Sequence, residues 1–214
     1  MAQALVYTKH EATGRLDELG LTEPLLREAV EWTYAYHVAE VTENEPPYAQ
    51  GMIMYIKLTR ALRDRLLLLG WQRDNSRNYS TTINPDRSLA IAVAGGDEST
   101  GREDESPSTI SRKGKATKDA IIKGQMAFDY GDTSRSIQLG GPQIWILLVH
   151  VDPETDELRL ELARPYSVTG KDCISKWQER IILQAIPLIS PPLPDVETTD
   201  EIGIDIRRRS GDAQ

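Results

Sequence analysis

The run Ile144-Trp145-Ile146-Leu147-Leu148-Val149 has no polar side. Successive side chains of an extended backbone point to opposite faces, so Ile144, Ile146 and Leu148 occupy one face and Trp145, Leu147 and Val149 the other. A strand of this kind is a central strand with both faces buried. The sequence Asp152-Pro153-Glu154-Thr155-Asp156 then turns the chain. Leu158, Leu160 and Leu162 alternate with Arg159 and Glu161, which is the pattern of a half-exposed partner strand.

The remaining elements are read against that hairpin. Thr22 is an N-cap residue, Glu23 suits the first turn and Pro24 sits where a missing N–H costs nothing. Leu25, Ala29, Trp32, Tyr36 and Ala39 follow at helical spacing, and residues 43–47 end the helix. A second helix is expected from about Tyr48 to Leu69, with Tyr55, Leu58, Leu62, Leu66 and Leu69 on one face and Gly70 as a left-handed cap. Residues 71–83 and 88–94 read as a hairpin about Asn84-Pro85-Asp86-Arg87. Residues 95–118 carry almost no apolar side chain and read as a long polar surface loop. A third helix is expected near Thr117, carrying Ile121, Ile122, Met126 and Phe128, then a loop over 131–142 and a last strand at Ile181-Ile182-Leu183. The expected fold class is α+β: an antiparallel sheet of two hairpins plus a further strand, packed against an N-terminal helix pair. Residues 1–21 read as a weakly structured segment, 22–187 as a single domain and 188–214 as a tail without packed structure.

Composition narrows the function classes. Hydrophobic residues make up 39% of the 214 residues and charged ones 27%, enough for a core and a solvated surface. The net charge of −8 gives no overall pull towards nucleic acid, and basic and aromatic residues are not interleaved. The longest apolar stretches, 66–69 and 144–149, fall far short of the roughly 20 residues that span a bilayer. The first 21 residues have no secretory pattern, and the one cysteine, Cys173, allows no internal disulfide. A soluble, cytoplasmic protein without membrane contact is expected.

Three groups of residues carry possible chemistry. Gly95 and Gly96 permit a backbone turned towards an anion, and Lys113, Lys115 and Lys118 gather near a helix start. Against that, Asp97, Glu98, Glu103, Asp104 and Glu105 offset those lysines, and no phosphate-loop spacing occurs. Asp97 and Asp152 are candidate ligands of a divalent metal, with Glu98 and Glu161 as further carboxylates. The Glu-x-Lys pair of metal-dependent nucleases is missing. His150, Asp152 and Glu161 are the candidate catalytic residues, with His150 the histidine suited to acid–base work, whereas His10 and His37 lack metal-ligand spacing. The stretch Ser190-Pro191-Pro192-Leu193-Pro194 suits a stiff exit linker, and Arg207, Arg208 and Arg209 form a short basic cluster.

With structural elements well patterned and no catalytic constellation assembled, the expected function is a non-catalytic intracellular binding or accessory protein with a protein partner. One alternative is an enzyme acting on a phosphate-containing substrate, a phosphodiesterase or nuclease, which alone implies a cofactor, a divalent metal. Another is an acidic inhibitor of a nucleic-acid-binding partner. Convergence of Asp97, Lys113, Lys115, His150, Asp152 and Glu161 on one recess discriminates the enzyme from the others.

Overall fold

The computed structural model describes residues 4–40, 42, 44–129, 141–168 and 172–188, with backbone alone over 125–129. The expected loop over 131–142 and the tail, with its Ser190–Pro194 and Arg207–Arg209 stretches, lie wholly or largely outside these residues, as do the side chains of Met126 and Phe128. The elements are β1 (Leu5–Tyr7), α1 (Lys9–Glu18), α2 (Glu23–Glu40), α3 (Ala49–Leu66), β2 (Gln72–Asp74), β3 (Thr81–Ile83), β4 (Leu89–Gly95), α4 (Lys115–Asp129), β5 (Gln143–Asp152), β6 (Glu157–Val168), β7 (Ile174–Ile182) and β8 (Ile186–Pro187). Among the described residues no helix is long and apolar enough to cross a membrane.

Among the described residues eight strands form one mixed sheet in the order β1-β7-β6-β5-β4-β3-β2, with β8 on β6. This corrects the expected antiparallel sheet of two hairpins with an N-terminal helix pair. Strands β3 and β4 do pair antiparallel, as do β5 and β6, but β4 and β5 lie parallel over seven residue pairs from Leu89↔Gln143 to Gly95↔Val149. A parallel neighbour requires the chain to cross back over the sheet, which takes a dozen or more residues. Residues 96–114 together with α4 make that crossover, so the stretch read as a surface loop is part of the topology. The segment 1–21 also contributes: β1 pairs parallel with β7, and α1 packs beside it.

Both faces of the sheet are covered. Helices α1, α2 and α3 pack on the face that presents Ile91, Val93, Trp145, Leu147, Leu160 and Ile181. On the second face α4 brings Ile121 against Ala90, Ala94, Ile144, Ile146 and Leu148. Helix α4 packs against β5 and β6. At Gly124 the approach is closest, because a Cβ there would lie 2.8 Å from the Pro142 carbonyl oxygen.

Local signals read from sequence hold at the helix ends. The Leu25 amide donates to Thr22 Oγ1 at 3.4 Å at the start of α2, and Gly70 adopts φ 83° after the 3-10 turn that ends α3. Trp71, Trp145 and Trp177 are buried, whereas Trp32 is exposed and stacks on Tyr36.

Candidate functional site

The crossover segment 96–114 is polar, yet it lies across the second face of the sheet as an ordered strap. Asp97 organises its start: its carboxylate accepts from the amides of Ser99 at 3.2 Å and Ser108 at 2.9 Å. Gly96 and Thr109 bridge antiparallel, and the Ile110 amide donates to the Gly95 carbonyl at 3.0 Å. Thr109 is buried and exchanges two bonds with Ile174, donating from its amide at 2.9 Å and accepting at Oγ1 at 3.0 Å. The Trp177 indole donates to the Pro107 carbonyl at 2.8 Å.

Beneath the strap lies a buried ion pair from adjacent strands. Glu161 of β6 is 0% exposed and Arg180 of β7 is 2% exposed. The guanidinium donates Nε to Oε1 at 3.0 Å and a terminal nitrogen to Oε2 at 2.6 Å, a two-pronged pairing. Both partners also hold the strap. Glu161 accepts from the Gly101 amide at 3.0 Å, and Arg180 donates to the carbonyls of Arg102, at 2.9 Å, and Glu105. Gly101 has φ 75°, and a Cβ there would lie 3.1 Å from Arg159 Cβ, so both backbone and space call for glycine. Alongside, Arg159 pairs with Asp152 at 2.8 Å, with both side chains buried. The Glu154 amide, at 3.0 Å, holds the Asp152 carboxyl below the usual carboxylate range, and the Arg159 charge adds to the effect. On the opposite face of the sheet Glu179 receives Arg15 at 2.8 Å and Arg164 at 3.0 Å.

The remaining sequence-predicted residues are distributed as follows. Gly95, Gly96 and His150 line a groove of about 300 Å³ at the carboxyl ends of β4 and β5, walled by Met54, Tyr55 and Val93. His150 Nδ1 lies 3.1 Å from the Gly96 carbonyl, which can only accept, so this nitrogen is the donor and the ring is oriented by it. The Gly96 amide donates to the Val149 carbonyl at 3.0 Å and so is spent within the sheet. Lys115 opens α4, Lys118 pairs with Asp172 at 2.5 Å, and the Lys113 amide donates to the Asp172 carbonyl at 2.7 Å. Burial pulls the Lys113 ammonium pKa down, with Cys173 opposing the shift. Of the six residues whose convergence was to be decisive, His150 lines this groove, while Asp97, Asp152 and Glu161 spend their oxygens on backbone amides and guanidinium groups. Among the described residues no group of three or more His, Cys, Asp and Glu side chains could hold a metal ion.

A larger recess lies beyond the strap, where the second face runs out to the sheet edge. This groove, of about 800 Å³, is floored by Val6, Trp177 and Arg180, flanked by Tyr166, and rimmed by strap residues 103–106. Its lining is mainly apolar. Glu103, Asp104 and Glu105 are exposed along the rim. Glu105 is engaged by Ser99 Oγ at 2.7 Å and by Arg102 at 3.3 Å, and among the described residues Glu103 and Asp104 make no ion pair. Strand β1, at the edge of the sheet, forms one side of the groove. Sequence reading missed the site because β1 is three residues long and carries no period to detect. The triplet Glu103-Asp104-Glu105 was the one visible signal. No protein-family model, curated protein or solved structure matches this chain.

Proposed function

We propose that the protein is a non-catalytic binding or accessory protein whose site is the groove between the strap and β1, and that its ligand is an extended polypeptide segment of a protein partner. The observation that carries this reading is the groove itself: about 800 Å³, mainly apolar, open along an edge strand and bordered by carboxylates. An edge strand offers backbone groups to an added strand, apolar recesses take alternate side chains, and rim charges select the flanking residues. The acidic rim calls for a segment with lysine or arginine next to its apolar positions. The buried Glu161–Arg180 pair supports the same reading, since it fixes the strap wall ahead of binding and reduces the ordering cost of association.

The enzyme reading draws its support from one feature, the oriented imidazole of His150 in the smaller groove. The carboxylates expected to work with it are committed to internal bonds, which favours binding over turnover.

Trp177 reports on the larger groove because it lies in its floor. Titrating the protein with arrays of extended peptides that vary in apolar spacing and basic content should shift Trp177 emission, with W177F removing the signal. A protein that binds none of these peptides but hydrolyses a phosphate ester in a His150-dependent manner would overturn the proposal.

A further inference from the structure

The groove has a mainly apolar lining that includes Trp177 but also Lys176 and Arg180, an edge strand on one side and, on the other, two carboxylates, Glu103 and Asp104, that make no ion pair among the described residues. The chain itself contains a segment of matching chemistry. Residues 202–209 read Ile-Gly-Ile-Asp-Ile-Arg-Arg-Arg: Ile202, Ile204 and Ile206 alternate at the two-residue period of a strand, and three arginines follow at once. In a chain of net charge −8 these are the three consecutive like charges of basic sign, and they adjoin its last apolar alternation.

Geometry permits the two to meet. The described chain leaves the sheet at Leu188, whose amide donates to the Asp156 carbonyl at 2.7 Å beside the β5–β6 turn. The residues 189–201 that separate it from Ile202 reach about 43–47 Å when extended. Pro187 pairs with Glu157 at the start of β6, and Tyr166, which flanks the groove, lies nine residues further along that strand, about 30 Å at a strand's rise, so the groove is within reach. Tethering on a linker of that length presents the segment to the groove at an effective concentration on the order of millimolar.

We infer that the groove is occupied in the free protein by the chain's own residues 202–209, with the isoleucines in the apolar floor beside β1 and the arginines against Glu103 and Asp104. This rests on the proposed binding site and adds its regulation: a partner segment must displace an internal competitor of the same kind.

The experiment uses full-length chains and a fluorescent peptide of residues 200–210, read by anisotropy. In one variant the internal segment is disabled by I204D/R207E/R208E/R209E. In another the rim is reversed by E103K/D104K, at exposed positions that hold no ion pair among the described residues. The peptide should bind the tail variant at least about tenfold more tightly than it binds the unaltered protein, as expected when a tethered competitor is removed. Adding E103K/D104K to the tail variant should weaken that binding about tenfold, and a peptide with its three arginines changed to glutamate should recover it. Equal, rim-sensitive affinity for the unaltered protein and the tail variant would overturn self-occupancy while leaving the binding site intact. No binding to any chain would overturn both. A dimer of the unaltered protein that becomes monomeric in the tail variant would place the segment in a second copy's groove and overturn occupancy within one chain.

Discussion

Replacing Glu161 by glutamine tests what holds the strap. The substitution keeps the shape of the side chain, so no cavity forms, and its cost comes from charge and hydrogen bonding alone. Glu161 is fully buried and receives three bonds, from the Gly101 amide and from two guanidinium nitrogens of Arg180. The amide group of glutamine presents one oxygen where the carboxylate had two, and turns an N–H2 towards a donor. It also leaves the Arg180 charge without its counter-ion. Removing one partner of a buried pair costs about 3–5 kcal/mol. For a domain of this size that is a fall in Tm of about 6–20 °C, at 2–4 °C per kcal/mol. The double variant E161L/R180M removes both charges, and apolar replacement of a whole buried pair is close to neutral, so most of the loss should be recovered.

Stability and strap order should then separate. In E161L/R180M the carbonyls of Arg102 and Glu105 have lost their donor and the Gly101 amide its acceptor, whatever the global stability. Amide hydrogen exchange at Gly101, and proteolysis after Arg102, should therefore be fast in the double variant at temperatures where the sheet stays protected. A loss below about 1 kcal/mol in E161Q would refute the reasoning that the pair is a dry, obligatory contact. Unchanged Gly101 protection in E161L/R180M would refute its role as the strap's anchor.

Other outcomes follow from single features. The Asp152 carboxyl is held below its ordinary range in the folded state, so its contribution is present above the unfolded value of about 3.9 and is lost as pH falls through the folded value; in urea melts the stability gap between the unaltered protein and D152N should close below about pH 4. Burial lowers the His37 pKa, so the unfolded chain takes up the proton first and stability falls as pH drops below about 6.5; H37Q should flatten melting temperature against pH between 7 and 5. G124A places a methyl group 2.8 Å from the Pro142 carbonyl oxygen and should cost about 1–3 kcal/mol by thermal unfolding, despite alanine's better helix propensity.

Legibility in the sequence followed the range of the interactions involved. The α2 start at Thr22, the Gly70 cap and the alternation of β5 and β6 are set by residues a few positions apart, and they read correctly. The parallel contact of β4 with β5 was hidden because both strands are apolar on both faces, and such strands pair equally well in either direction. What decides direction is the crossover, and its residues 96–114 have a composition that reads as solvent-exposed. Their burial is carried by Arg180 and by Glu161, residues 60 and more positions away, and Glu161 reads as the wet side of a half-exposed strand. Arg159 and Glu161 were assigned to solvent by the same period that placed Leu158 and Leu160 correctly; the period gives the face, and the strap then covers that face.

The same contacts support the proposed binding reading. A carboxylate working as a metal ligand or a proton carrier needs lone pairs turned towards a space that a substrate can enter. Asp97 and Glu161 turn theirs to the amides of Ser99, Ser108 and Gly101, and Asp152 turns its own to the amide of Glu154 and to Arg159. These groups fix the strap and the strand ends, and the result is a rigid wall beside an open, mainly apolar groove. On the proposed reading, polar residues whose bonding capacity is used in shaping a recess act on a ligand through surface and rim charge, which selects it without transforming it.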